Sequence, residues 1–236
     1  MKERMHIRQF RYGSDNLGYL VFGRKTALAI DGGAVAEILA FCSNRGLALR
    51  YIANTHAHDD HTSGNQALIR HSGAQYLGTA SLAARRKIVL EDTPIQIHAT
   101  PGHTRDSLVF ATDHFILSGD TLFNGTIGNC FSGNLAAFYH SILLLLSFPD
   151  DTIVYAGHDY VAESMRFARL LEPENRHIDP YLEKYDPRHV CSTLADEKKV
   201  NPYLRFNTPE LINVLKSRGM VADTAWHRWE SLMQIV

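Results

Sequence analysis

Seven residues, Thr55-His56-Ala57-His58-Asp59-Asp60-His61, place three imidazoles and two carboxylates at the close of an apolar run that reads as a strand. Packing alone seldom gathers so many titratable groups, since each would need its own partner once buried. Imidazole and carboxylate together form a ligand set for zinc, iron or manganese, and their alternation lets one turning loop aim successive side chains at different ions. The spacing H-x-H-x-D-H therefore implies two adjacent metals. A single histidine of this kind would be an ordinary core or surface residue; the company it keeps argues for chemistry.

Matching positions lie far along the chain. Pro101-Gly102-His103-Thr104, Ser118-Gly119-Asp120-Thr121 and Ala156-Gly157-His158-Asp159 each fall where a strand-like apolar run meets a loop, and in each a small residue precedes the candidate ligand. Glycine lets the backbone turn sharply and approach a bulky centre.

This order and punctuation resemble the metallo-β-lactamase superfamily. The resemblance implies an α/β (α+β) fold, an αββα sandwich. It assigns His56, His58 and His103 to one metal, Asp60, His61 and His158 to the other, and Asp120 to a bridge, with Asp60 and Asp120 as the catalytic carboxylates. It calls for two divalent metal ions, zinc ahead of iron or manganese. The flavodiiron branch of the superfamily carries a carboxylate where His58 stands, so an imidazole there favours hydrolysis over oxygen or nitric oxide reduction.

Composition narrows the class. A chain of 236 residues with 45% hydrophobic content can bury one good core plus a small appendage. A net charge of −1 lacks the basic surplus of a nucleic-acid binder. Residues Met1 to Arg8 contain no apolar stretch of the signal-peptide kind, and Ser141-Phe148 is too short to span a bilayer. Cys42, Cys130 and Cys191 lack C-x-x-C spacing, which points to a reducing, cytoplasmic setting without a thiolate metal site.

Periodicity gives a β-rich stretch from Tyr19 to Asp31, a turn at Asp31-Gly32-Gly33, a helix over Val35 to Cys42 and a strand over Leu47 to Asn54. Asp31 reads as a turn or packing residue. Helices are expected over Asn65-Arg70 and Ala80-Leu90, and strands over Ile95-Ala99, Leu108-Ala111, His114-Ser118 and Thr152-Ala156. Asn134 is a candidate N-cap for a helix running to Phe148, stopped by Pro149-Asp150-Asp151. After His158 the pattern turns helical. Thr208-Pro209-Glu210 through Gly219 has a cap, Pro at N1, an early acid and a glycine stop, and Trp226, Trp229 and Met233 form an apolar face. The expected division is a metal-binding domain over 1–160 and a small C-terminal helical domain over 161–236.

The tail sharpens the resemblance. Ser192-Thr193-Leu194-Ala195-Asp196-Glu197, followed by Asn201-Pro202-Tyr203-Leu204-Arg205, looks like the carboxy-terminal pattern of the glyoxalase II (hydroxyacylglutathione hydrolase) family, and with Ser118 to Phe123 and Phe167-Ala168-Arg169 the likeness runs from about Gly18 to Arg205. It implies a binuclear hydrolase splitting S-2-hydroxyacylglutathione, a small-molecule thioester, into a hydroxy acid and free thiol. The chemistry suits the ligands: a water held between two cations has its pKa lowered from 15.7 to roughly 7. A thiolate leaving group, with a pKa of about 8.5, needs little help from an acid. Asp59 is a candidate proton carrier, or a solvated neighbour of Asp60.

The departures concern the thiol carrier. Where relatives read G-C-G-K-F-Y and hold glutathione with the Lys and Tyr, this chain has Thr126-Ile127-Gly128-Asn129-Cys130-Phe131, so Asn129 and Phe131 are the candidate substrate contacts, joined by Arg205 as a compensating cation. The family's late basic pair aligns loosely with His227 and Glu230. Hydrogen bonds to charged groups contribute about 1.5–3 kcal/mol each, so their loss predicts a weakened glutathione site. After His103, Arg105-Asp106-Ser107 replaces a glycine-containing turn, with Asp106 the residue best able to take unusual backbone angles. Cys130 reads as packing, and the remaining eight histidines as structural. A persulfide dioxygenase with one iron, or a non-catalytic binder on the same fold, are the alternatives; the complete second ligand set speaks against both.

Overall fold

Strands buried on both faces decide the layers. The structure, a computed structural model, describes residues 5–235. Strands β1 (His6–Tyr12), β2 (Asn16–Phe22), β3 (Thr26–Ile30), β4 (Ala48–Ala53) and β5 (Gln75–Leu77) form one sheet in that order, antiparallel through β3 and parallel beyond. Strands β6 (Lys87–Leu90), β7 (Thr93–Ala99), β8 (Leu108–Ala111), β9 (Phe115–Gly119), β10 (Ile153–Ala156) and β11 (Ser192–Thr193) form the second, with β9 and β10 its parallel pair.

On β2 every residue is buried, because both faces are covered. Leu17, Tyr19 and Val21 face the other sheet and meet Leu108, Phe110, Phe115 and Leu117 in the interior of the sandwich. Leu20 and Phe22 face outward, under helices α1 (Val35–Arg45) and α3 (Asn65–Ser72), with the single turn α2 (Asp59–Thr62) between β4 and α3. Helix α4 (Thr79–Arg85) links the sheets. The outer face of the second sheet, Val109, Ala111, Ile116 and Val154, is covered by α5 (Leu135–Leu146) and, from the tail, α9 (Pro209–Ser217) and α10 (Ala225–Leu232). The layer order is α-β-β-α. Helices α6 (Val161–Leu171), α7 (Ile178–Lys184) and α8 (Leu194–Val200) complete the chain.

Two expectations need correction. Ala80–Leu90 is not one helix: Arg86 adopts a left-handed φ of 58° and caps α4, after which Lys87–Leu90 alternates exposed and buried as β6. The first strand carries no apolar signature because it is a polar sheet edge, where one neighbour and half a buried face suffice. The Asn134 cap is as expected, its side chain accepting from Ala137 N at 3.0 Å, and Thr208 caps α9 the same way. The tail is not purely helical, since Ser192–Thr193 adds an antiparallel edge to β10.

Candidate metal centre

The ligand-bearing loops leave the same ends of β4, β9 and β10, together with the loop between β7 and β8, so their side chains meet at one rim of the sandwich. His56, His58, His103 and Asp120 form one group and Asp60, His61 and His158 a second, the donor atoms of each lying within 4.8 Å of one another. In the first, His58 Nδ1 stands 2.9 Å from His56 Nε2 and 3.2 Å from His103 Nε2. In the second, His61 Nε2 and His158 Nε2 are 3.2 Å apart, and Asp60 Oδ2 lies 3.5 and 3.3 Å from them. Asp120 stands between the groups: Oδ1 is 3.3 Å from His61 Nε2, while Oδ2 is 3.5 Å from both His103 Nε2 and His158 Nε2.

Four rings are fixed from behind, which decides the direction of their lone pairs. Thr55 Oγ1 donates to Asp31 Oδ2 at 2.7 Å, leaving it to accept from His56 Nδ1 at 3.1 Å. His61 Nδ1 donates to Asp31 Oδ2 at 3.0 Å, His103 Nδ1 to the Asn129 carbonyl at 3.0 Å, and His158 Nδ1 to Asp15 Oδ1 at 2.7 Å. With Nδ1–H committed outward, each Nε2 lone pair points inward. His58 is turned the other way, presenting Nδ1.

These donors fit divalent cations. Tetrahedral ligands at about 2.0–2.1 Å from a metal lie roughly 3.3 Å apart, the separation found here between bare lone pairs that cannot hydrogen-bond to one another. Asp120 Oδ1 is fully buried with no hydrogen-bond partner, a costly state for a carboxylate unless a cation faces it. The backbone makes room as well: a Cβ on Gly157 would stand 2.1 Å from that oxygen, and one on Gly119, whose φ is 50°, would stand 2.4 Å from Thr55 Oγ1.

Charge follows the same logic. Burial pulls the His56 imidazole down to about 4, helped by the charge of His61, and burial lowers His103 too, so both are neutral donors. Burial opposes ionisation of Asp120, yet the adjacent His61, with the charges of His158 and His56, holds it at about 2. Burial would also neutralise His61, but Asp31 and Asp120 outweigh it and raise it to about 11. That anionic field is one a metal cation satisfies in place of a proton.

The structure brings all seven sequence-predicted ligands together. Asp59 is exposed and belongs to neither group. Phe131 is 67% exposed, its ring 5.2 Å from His103 and 5.9 Å from His58, at the mouth. Asn129 is exposed, and its main-chain carbonyl rather than its amide touches the centre. Arg205 spends its charge on a bidentate pair with the buried Glu172, at 3.0 and 2.7 Å. The 103–107 loop needs no unusual φ at Asp106; it is tied by the Asp106 carboxylate, which accepts from Thr104 Oγ1 and Thr79 Oγ1. Asp31 is more than the turn residue expected, for it holds Thr55 and His61 together. Asp15 and Asn16 carried no sequence signal, and Tyr160, stacked on His158 at 5.1 Å, carried none either.

Comparison with known proteins gives concordant likenesses. Residues 17–85 match the metallo-beta-lactamase superfamily and residues 159–233 the hydroxyacylglutathione hydrolase C-terminus. The hydroxyacylglutathione hydrolase of Anaeromyxobacter dehalogenans is 36% identical, with 84% of this chain and 85% of that one aligned. That of Chromohalobacter salexigens is 32% identical over 82% and 83%. Among solved structures, ETHE1 from Myxococcus xanthus superimposes with a TM-score of 0.69 at 24% identity, covering 96% of this chain and all of that one. A metallo-beta-lactamase from Staphylococcus aureus gives 0.66 at 19%, covering 99% of this chain and 73% of the other.

Proposed function

The chain belongs to the hydroxyacylglutathione hydrolase family, and from that premise we propose a dinuclear metal-dependent hydrolase that cleaves a small-molecule thioester into a hydroxy acid and a free thiol. The observation that carries this reading is Asp120, a buried carboxylate lying between two histidine groups with an oxygen left unpaired. His56, His58 and His103 would hold one cation and Asp60, His61 and His158 the other, with Asp120 shared. Bound there, divalent cations lower the pKa of water toward about 7 and polarise a carbonyl oxygen. Zinc is our first assignment, with iron or manganese accepted by the same donors.

The chain's own residues orient the donors. Asp31, Thr55, Asn129 and Asp15 fix the ring tautomers before any substrate arrives, so little reorganisation is needed at the reacting centre. Asp60 is steered by the Asn16 amide at 2.8 Å. Phe131 sets an apolar ring at the mouth beside His58 and His103, where it offers a substrate's apolar part a contact. No dedicated general acid is required, because a thiol of pKa about 8.5 leaves as thiolate near neutral pH.

S-2-Hydroxyacylglutathione is the reference substrate, with the thiol carrier held more weakly than in the family pattern. Position 129 offers an uncharged amide, position 131 a ring without a hydroxyl, and Arg205 is committed to Glu172. We read residues 1–160 as the catalytic unit and 161–236 as a tail unit that buttresses it. The three unpaired cysteines support a cytoplasmic setting, and among the described residues no helix is long and apolar enough to cross a membrane.

The test is thiol release from S-lactoylglutathione by zinc-, iron- or manganese-loaded protein, with Asp120→Asn as blank. Turnover with a raised KM is expected, and loss of at least about 100-fold in the variant, in the range of a broken preorganised centre. Full activity of Asp120→Asn with normal metal content would reject the shared-carboxylate role.

A further inference from the structure

The residues that back the first group are neutral: the Thr55 hydroxyl behind His56 and the Asn129 carbonyl behind His103. His158 and Asp60 are held differently, from the tip of the hairpin between β1 and β2. Asp15 Oδ1 accepts from His158 Nδ1 at 2.7 Å. Asn16 Nδ2 donates at 2.8 Å to Asp60 Oδ2, the same oxygen that faces His61 and His158. The main chain fastens this tip to the His158 loop, Leu17 N donating to Gly157 O at 2.8 Å and Asp159 N to Asp15 O at 2.9 Å. Among the described residues neither Asp15 nor Asn16 has a hydrogen bond to any member of the first group.

We propose that Asp15 and Asn16 are positioning residues that set the affinity of the second cation site independently of the first. The proposal rests on the reading of Asp60, His61 and His158, with Asp120, as that site. A carboxylate behind an imidazole fixes its tautomer and raises the basicity of the inward nitrogen. Asp60 needs the amide because its side chain is 46% exposed, and without Asn16 it would have to be ordered at the moment of cation binding. Asn16, itself 7% exposed, is already ordered by the strand it begins. No hydrogen bond runs from Asp15 or Asn16 to the first site, so this hairpin adjusts the second site without passing through Asp31, which backs His56 through Thr55 as well as His61.

The experiment titrates metal-free, full-length protein with zinc against a chromogenic chelator, for wild type, Asp15→Ala, Asp15→Asn and Asn16→Ala. Two binding steps are expected in wild type. In Asp15→Ala and Asn16→Ala the second should weaken about 10–100-fold while the first stays within about twofold, and Asp15→Asn, which keeps an acceptor oxygen, should recover part of the loss. Thermal unfolding of the metal-free variants should match wild type. Equal weakening of both steps, no weakening of either, or a loss of metal-free stability with both affinities kept would overturn the proposal. A wild-type stoichiometry of one zinc would overturn the two-site reading and this inference with it; two tight sites in every variant would overturn the inference alone.

Discussion

At Gly157 one added methyl group would strike the donor groups directly, because its Cβ would enter the space of Asp120 Oδ1 and stand 2.9 Å from His61 Cε1. His61 is held from behind by Asp31 and Asp120 is buried among the histidines, so neither can yield without disturbing the donor groups. Gly157→Ala should cost about 1–3 kcal/mol of stability through overpacking, and reduce metal retention about 10–100-fold, as loss of a supporting contact does. Metal content after dialysis, read beside denaturant unfolding, checks both. The two donor groups were legible in the sequence because their chemistry is concentrated in seven consecutive residues and repeated after glycine at three later strand ends. Asp31, Asp15 and Asn16 were not, because an isolated acid or amide acquires its role only from the ring or carboxylate it touches, across separations of 30, 143 and 44 residues.

At the scale of elements, the turn between β6 and β7 does for the sandwich what no strand pairing does: it ties one sheet to the other. Glu91 accepts from Lys25 N and Thr26 N at 2.8 Å and from Thr26 Oγ1 at 3.0 Å, capping the β2–β3 hairpin. The hydrogen bond from Lys25 N and its neighbours holds the carboxyl down to about 2. A depressed folded-state pKa means stability that is present above the unfolded value of about 4.3 and lost as pH falls toward 2. Solvent screening of this partly exposed group limits the effect to about 1 kcal/mol. Glu91→Gln should therefore unfold more easily than wild type at pH 7, with the difference vanishing near pH 2 to 3, measured by urea unfolding across that range. The tail motif has an equally structural reason. Glu197, wholly buried, accepts from Tyr181, Ser192, Asn201 and Gly125 N, and Asn201 also donates to Thr126 O, so the pattern staples α8 to the loop that follows Asp120. Sequence likeness located that motif, but only the packing explains why its Arg205 faces Glu172.

For the whole molecule, cations bound as proposed, only by the folded state, would add to its stability by mass action, about 2.7 kcal/mol for each when free metal is 100 times its dissociation constant. For a chain of this length each kcal/mol moves the melting temperature by about 2–4 °C. Chelation should therefore lower the calorimetric midpoint by about 5–10 °C per site, without loss of secondary structure in the far-ultraviolet spectrum below the transition. The layer order was readable only through the family resemblance, because β2, β8 and β9 are buried throughout and their neighbouring residues face opposite cores without any alternation in polarity. The polar β1 and the split at Arg86 were not, since an edge strand needs little apolar surface and a left-handed cap on arginine has no signature. His158 joins partners 97 residues earlier, at His61, and 143 residues earlier, at Asp15. Contacts so distant along the chain form late, after the closure entropy of the intervening loops has been met. The emerging polypeptide can present His56, His58 and His61 long before His158 exists, so the complete pair of sites is acquired only by a chain whose two sheets have already closed.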